Sequence, residues 1–124
     1  MGFGLGAAIG AAFARPGSTV INITGDGGFR MNLTELATVC ENKLPVITVV
    51  VDNGSLGMIK HWQERYLGER YMESEFADNV DYATIAGGFG ISAYCPANSE
   101  ELRAAINAAV KSGLPAVIIC KVKN

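Results

Sequence analysis

Two short clusters in this chain combine residue types and spacing suited to chemistry. Gly25-Asp26-Gly27-Gly28 directly follows the β-branched run Val20-Ile21-Asn22-Ile23-Thr24, and Asp52-Asn53-Gly54 directly follows the apolar run Val46 through Val51. Asp26 and Asn53 are 27 positions apart, room for one turn, one crossover helix and one strand. Taken singly, each cluster is an ordinary turn, because Gly, Asp and Asn are the residues that turns select. Taken together, each after a strand-like run, they imply more. If the two runs are neighbouring parallel strands, both clusters lie at the carboxyl edge, where open α/β sheets bind ligands. Two hard oxygen side chains then face each other across a short gap. Magnesium takes oxygen ligands octahedrally and is held by one or two protein groups plus phosphate oxygens. Asp26 would supply charge and Asn53 a neutral carbonyl oxygen, with the Ser55 backbone carbonyl as a candidate third ligand. Gly27 and Gly28 let the backbone approach a phosphate. Their N–H groups, and the start of the helix expected after Asn53, offer donors to an anion.

The elements that must position these clusters are legible as an alternation. The β-branched run Val20–Thr24 and the apolar runs Val46–Val51, Ile91–Tyr94 and Ala116–Val122 read as strands of a parallel sheet covered on both faces. Between them lie helical patterns. Leu5, Ile9 and Phe13 recur every four residues. Asn32 and Glu35 have capping-box spacing for a helix that carries Leu33, Leu36 and Cys40 on one stripe and stops before Pro45. Tyr82 to Ala86 reads as a short helix. Asn98 and Glu101 form a second capping box ahead of Leu102, Ile106 and Val110, with Gly113 and Pro115 as the stop. The expected architecture is one α/β domain over residues 1–124, an open and mostly parallel sheet with helices on both faces. The chain opens on a helix with no strand before it, so a missing first strand, and hence a fragment or split subunit, is the expectation.

Composition narrows the alternatives. Nearly half of the 124 residues are apolar and the net charge is −2, enough for a core and too little charge for a nucleic-acid footprint. No apolar run reaches the roughly 18 residues of a membrane span, and Met1 leads into small residues with no basic segment of a secretory signal. Cys40, Cys95 and Cys120 lack metal-type spacing, and read as small buried hydrophobes of a reducing cytoplasm. His61 stands alone, which argues against a histidine-rich metal site or a serine–histidine triad.

The motif from "GDGGF" to the Asn of "DNG" resembles the signature of thiamine-diphosphate enzymes. The opening "MGFGLGAAIGAAFARPGSTVINITGDGGFRMNLTELATV" and the stretch "LGMIKHWQERYLGERY" are similar to the acetohydroxyacid (acetolactate) synthase large subunit, in its carboxy-terminal cofactor domain. The resemblance covers essentially the whole chain. It implies a thiamine diphosphate and Mg²⁺ site with Asp26, Asn53 and the Ser55 carbonyl as metal ligands. It further implies that Asp26, Gly27, Gly28 and then Asn53, Gly54, Ser55, Leu56, Gly57 and Met58 wrap the diphosphate and thiazolium. Met1 matches a methionine wedged under the cofactor, and Trp62 a tryptophan lining the substrate pocket; core packing is the plain alternative for Trp62 and Met58. Three positions depart from the family pattern: Gly6 where proline is usual, Asp52 where Asn is usual, and His61 where glutamine is common. Asp52 is expected to turn away from the metal.

The resemblance also implies what lies elsewhere. The glutamate that activates the aminopyrimidine ring belongs to a pyrimidine-binding domain or subunit, and no glutamate here sits in a matching motif, so no catalytic residue is assigned to this chain. The implied reaction, a step of branched-chain amino acid biosynthesis, decarboxylates pyruvate and passes the hydroxyethyl group to a second 2-keto acid. Two other readings remain open. One is the β-type subunit of a two-subunit 2-keto acid decarboxylase, of sulfopyruvate or phosphonopyruvate type. The other is a non-catalytic cofactor-binding module. The expectation is a chain inactive alone, homo-oligomeric through its uncovered cleft, with no nucleic acid or membrane partner.

Overall fold

A computed structural model describes residues 1–77 and 80–122. The order of elements is α1 (Phe3–Ala14), β1 (Val20–Gly25), α2 (Asp26–Arg30), a 3-10 turn (Leu33–Glu35), α3 (Leu36–Glu41), β2 (Val46–Asp52), α4 (Gly57–Tyr66), α5 (Tyr82–Gly88), β3 (Ser92–Tyr94), α6 (Ser99–Ser112) and β4 (Ala116–Lys121). The four strands form one parallel sheet in the order β1-β2-β4-β3. The two motif-bearing strands are therefore neighbours, with Gly25 opposite Val51. None of the helices is long and apolar enough to cross a membrane among the described residues.

Alternate residues of the strands feed two cores. On one face Val46, Val50, Val117 and Ile119 meet α1, α3 and α5 through Leu5, Ile9, Leu36, Val39 and Ala86. On the other, Ile47, Val49 and Ile118 pack under α6 through Ala105 and Ala109. Continuous apolar runs are thus explained for β2 and β4, the inner strands, which are covered on both sides. The edge strand β1 differs from that expectation. Ile21 and Ile23 lie on the α6 side, beyond its reach, and Ile23 is 72% exposed.

The first helix shows a limit of four-residue spacing. At 3.6 residues per turn each step of four advances about 40°, so a stripe of three rolls off its face. Leu5 and Ile9 are buried, Phe13 is exposed, and Ala8 and Ala12 take the inner positions. Gly4 lets this helix lie close to β1, since a Cβ there would come within 2.6 Å of Asn22 Oδ1. Asn22 is itself buried and donates from Nδ2 to Thr48 Oγ1 at 3.5 Å.

One capping box forms and the other does not. The Glu101 N–H donates to Asn98 Oδ1 at 2.9 Å, and the Glu101 carboxylate accepts from Asn98 Nδ2 and the Ala97 N–H. Gly113 ends α6 in the left-handed region, at φ 65°. Asn32 makes no side-chain cap: the chain is already turning from α2 into the 3-10 turn, and Glu35 accepts instead from Thr38 Oγ1 at 3.2 Å. The α5 cap is Asp81, which accepts from the Ala83 and Thr84 N–H groups and from Thr84 Oγ1. The three cysteines are free, with Cys95 exposed and Cys40 and Cys120 half-buried, so only two approach the buried role expected of them.

Candidate cofactor and metal site

At the carboxyl edge β1 passes into α2 without a gap. Gly25 is extended, and Asp26 opens a single helical turn whose glycines hid it from the sequence pattern. Asp26 is 2% exposed. Its Oδ1 accepts from the Gly27 N–H at 2.8 Å, and its Oδ2 accepts from the Gly54 N–H at 2.9 Å. The second bond ties the two motifs together. Gly54 has φ 68°, a left-handed conformation that favours glycine, and this turns its N–H back toward Asp26.

Asn53 Oδ1 accepts from the Ser55 N–H at 3.2 Å, an Asx turn that holds the amide at the strand end. Asp52 lines a different cavity from Asp26, with Asp81, Tyr82 and Lys121. Its Oδ1 accepts from the same Gly54 N–H at 3.2 Å, so the two carboxylates stand close about one donor. Burial and then this contact with Asp52 hold the Asp26 carboxyl above its ordinary range, opposed by the amides of Gly27 and Gly54. The site thus concentrates negative charge, and no ion pair among the described residues involves Asp26.

The loop beyond Asn53 is fixed from outside. Ser55 forms an antiparallel bridge with Glu75; the Leu56 N–H donates to the Ser74 carbonyl and the Phe76 N–H to the Gly54 carbonyl, both at 2.8 Å. Then α4 begins at Gly57, behind Leu56, an N-cap residue with no polar side chain. A cavity of about 560 Å³ lies in front of this edge. Asp26, Gly27 and Gly28 line it from the first motif; Asn53, Ser55, Leu56, Gly57 and Met58 line it from the second; Met1 lines it from the chain start. Gly54 acts behind the wall, through its amide. Trp62 lies farther along α4, 60% exposed and away from the lining. The glycines suit a close approach. A Cβ on Gly27 would come within 2.7 Å of Leu56 Cδ2, and one on Gly28 within 2.7 Å of Thr24 Oγ1. Phe3, Ile23 and Val51 also line the cavity. Only Ile23 and Val51 carried a signal, as the last outward apolar residues before each motif.

A parallel sheet that gathers a buried carboxylate, a glycine turn and a helix start at its carboxyl edge defines a domain of the diphosphate-binding α/β class. Within that class, this chain belongs to the family described as thiamine pyrophosphate enzyme, C-terminal TPP binding domain, whose model matches residues 1–120. It is 44% identical over 115 residues to the acetolactate synthase isozyme 2 large subunit of Escherichia coli (strain K12), covering 93% of this chain and 21% of that protein. It is 42% identical over 115 residues to a probable acetolactate synthase large subunit of Methanocaldococcus jannaschii, covering 93% and 20%. Among solved structures it superimposes on the Rhodococcus jostii RHA1 thiamine diphosphate-dependent 4-hydroxybenzoylformate decarboxylase with a TM-score of 0.91 at 28% identity, covering 99% of this chain and 23% of that one. The resemblance read from the motifs and the α/β fold stand on these findings. The chain spans about a fifth of the length of the curated relatives it matches.

Proposed function

We propose that this chain holds the diphosphate of thiamine diphosphate through Mg²⁺, bound by Asp26, Asn53 and the Ser55 carbonyl, as the cofactor domain of an acetolactate synthase-type enzyme. The observation that carries the reading is Asp26. It is a buried carboxylate that joins the two motif turns, and no described ion pair reaches it. An isolated buried charge is costly, and a divalent cation between carboxylate and diphosphate removes that cost. The donor set suits a hard cation, since it consists of oxygens. Among the described residues no group of three His, Cys, Asp or Glu side chains gathers here or elsewhere, so the proposed donor set relies on the Asn53 amide and the Ser55 carbonyl beside Asp26.

Thiamine diphosphate, when bound, supplies the carbanion-stabilising chemistry. This chain's residues bind and orient it. Gly28 brings a backbone donor to the diphosphate, Gly27, whose N–H already goes to Asp26, lets Leu56 close over the turn, and the start of α4 adds its positive end. Met1, Leu56 and Met58 offer apolar contact to the ring system and keep water from it. The proton-transferring glutamate comes from a pyrimidine-binding domain facing this cavity, in a homo-oligomer working in the cytoplasm. The substrate is a small 2-keto acid, with Trp62, exposed on α4, as a residue of its pocket. Similarity to two large subunits supports the synthase over a 2-keto acid decarboxylase, the reading that the structural neighbour's name favours. Calorimetric titration of thiamine diphosphate with MgCl₂ and with a chelator tests the metal bridge. Binding only with the cation is expected; equal binding in both refutes it.

A further inference from the structure

We infer that Arg30, Phe76 and Tyr82 are positioning residues for the metal-binding loop: they hold Gly54 at its carbonyl while Asp26 holds it at its N–H. The inference rests on the metal reading above and deepens it. Asp26 and Arg30 stand four residues apart on α2, so both ends of this single turn address the same loop. At one end, Asp26 Oδ2 accepts the Gly54 N–H at 2.9 Å. At the other, the Arg30 guanidinium lies 3.8 Å from the centroid of the Phe76 ring. The Phe76 N–H then donates to the Gly54 carbonyl at 2.8 Å. Gly54 is thereby held on both of its peptide units, at the N–H of one by one end of α2 and at the carbonyl of the next by the other end, through Phe76.

Tyr82 fixes the guanidinium plane. Its hydroxyl accepts from Arg30 Nε at 2.5 Å, and its ring meets Phe29 edge-on with centroids 5.7 Å apart. The Phe76 ring also backs the first glycine turn, lying 3.6 Å from where a Gly27 Cβ would be. The bonds from the Phe76 N–H to Gly54 and from the Leu56 N–H to Ser74 flank Ser55, so the same clamp sets the Ser55 backbone that the metal reading uses as a ligand. Arg30 stacking on Phe76 is a cation–π contact, attractive because the ring face is electron-rich. Arg30 therefore holds the loop without spending its charge on Asp26.

The test uses this chain and Mn²⁺ as the probe metal, read by electron paramagnetic resonance in the presence of thiamine diphosphate. Phe76→Leu and Arg30→Gln are each expected to weaken Mn²⁺ binding about tenfold, equivalent to ~1.4 kcal/mol. Phe76→Tyr keeps the ring and should restore wild-type affinity. Hydrogen exchange supplies the readout that general destabilisation would not give. The Leu56 and Phe76 amides should exchange faster in Arg30→Gln, and the Leu56 amide in Phe76→Leu, while those of Val46–Val50 stay unchanged. Unchanged Mn²⁺ affinity in Phe76→Leu and Arg30→Gln, or exchange that accelerates equally across β2, overturns the inference. A wild-type chain that binds no Mn²⁺ overturns the metal reading and the inference together. Wild-type binding with indifferent variants overturns the inference alone.

Discussion

Replacing Asp26 by Asn separates what this residue does for the fold from what it does for the ligand. Asn keeps the volume and one acceptor oxygen. Its Nδ2 must face either the Gly27 or the Gly54 N–H, so one of the two bonds at 2.8 and 2.9 Å is lost. A buried donor left unpaired costs about 1–3 kcal/mol. Against this, the substitution removes a charge that burial and Asp52 already disfavour. The folded chain holds the Asp26 carboxyl above its ordinary value of 3.8, so its contribution to unliganded stability is lost as pH rises through the raised value. The Asp26→Asn variant has no such loss. At neutral pH the two effects oppose, and the unliganded melting temperature should move little. The liganded one should move much more. Ligand at 100 times its Kd stabilises by about 2.7 kcal/mol, or roughly 10 °C for a domain of this size. Thermal unfolding with and without MgCl₂ and thiamine diphosphate reads both. A wild-type rise of that order, absent in Asp26→Asn, is the expected result. A variant that keeps the rise would refute the assignment of Asp26 to the metal.

Three further outcomes follow from particular contacts. Gly4→Ala should lower stability by about 1–3 kcal/mol, because its Cβ would press on buried Asn22, whereas Gly6→Ala, on the open side of α1, should raise it by about 0.5–1 kcal/mol; chemical denaturation of both variants checks the contrast. Asp81→Ala removes the α5 cap and should lower the melting temperature at neutral pH. Its bonds to Thr84 hold the Asp81 carboxyl below 3.8, so the stabilisation is present above that pH and the deficit should narrow as pH falls below it. The edge strand β1 exposes Ile21 and Ile23 and carries no charge or proline to discourage pairing, so light scattering should find dimers or larger species that Ile23→Lys shifts toward monomer; a monomeric wild-type chain would count against this.

The strands were legible because burial on both faces writes a continuous apolar run, as in Val46–Val51. The α6 helix was legible because Asn98, Glu101 and Gly113 mark its ends with hydrogen-bonding chemistry. The α2 turn was not, since two glycines in five residues conceal a helix whose presence is set by Asp26 and by packing of Phe29. Asn32 misled because its spacing to Glu35 satisfied a local rule that the preceding turn overrode. Asp52 was legible only in part. Alternation along a strand predicts which face a side chain takes, but Asp52 ends its strand, and the left-handed Gly54 brings a single N–H within reach of both carboxylates. The clamp of Arg30 on Phe76 joins positions 46 apart, with no periodicity to announce it.

The central claim is that a divalent cation sits between Asp26 and the diphosphate. The most direct test is a crystal structure of this chain with Mn²⁺ and thiamine diphosphate, with the metal located by anomalous scattering. One anomalous peak within coordination distance of Asp26, Asn53 Oδ1 and the Ser55 carbonyl is the predicted result. A diphosphate bound at Gly27 and Gly28 with no metal beside Asp26, or a metal held elsewhere on the chain, would contradict it.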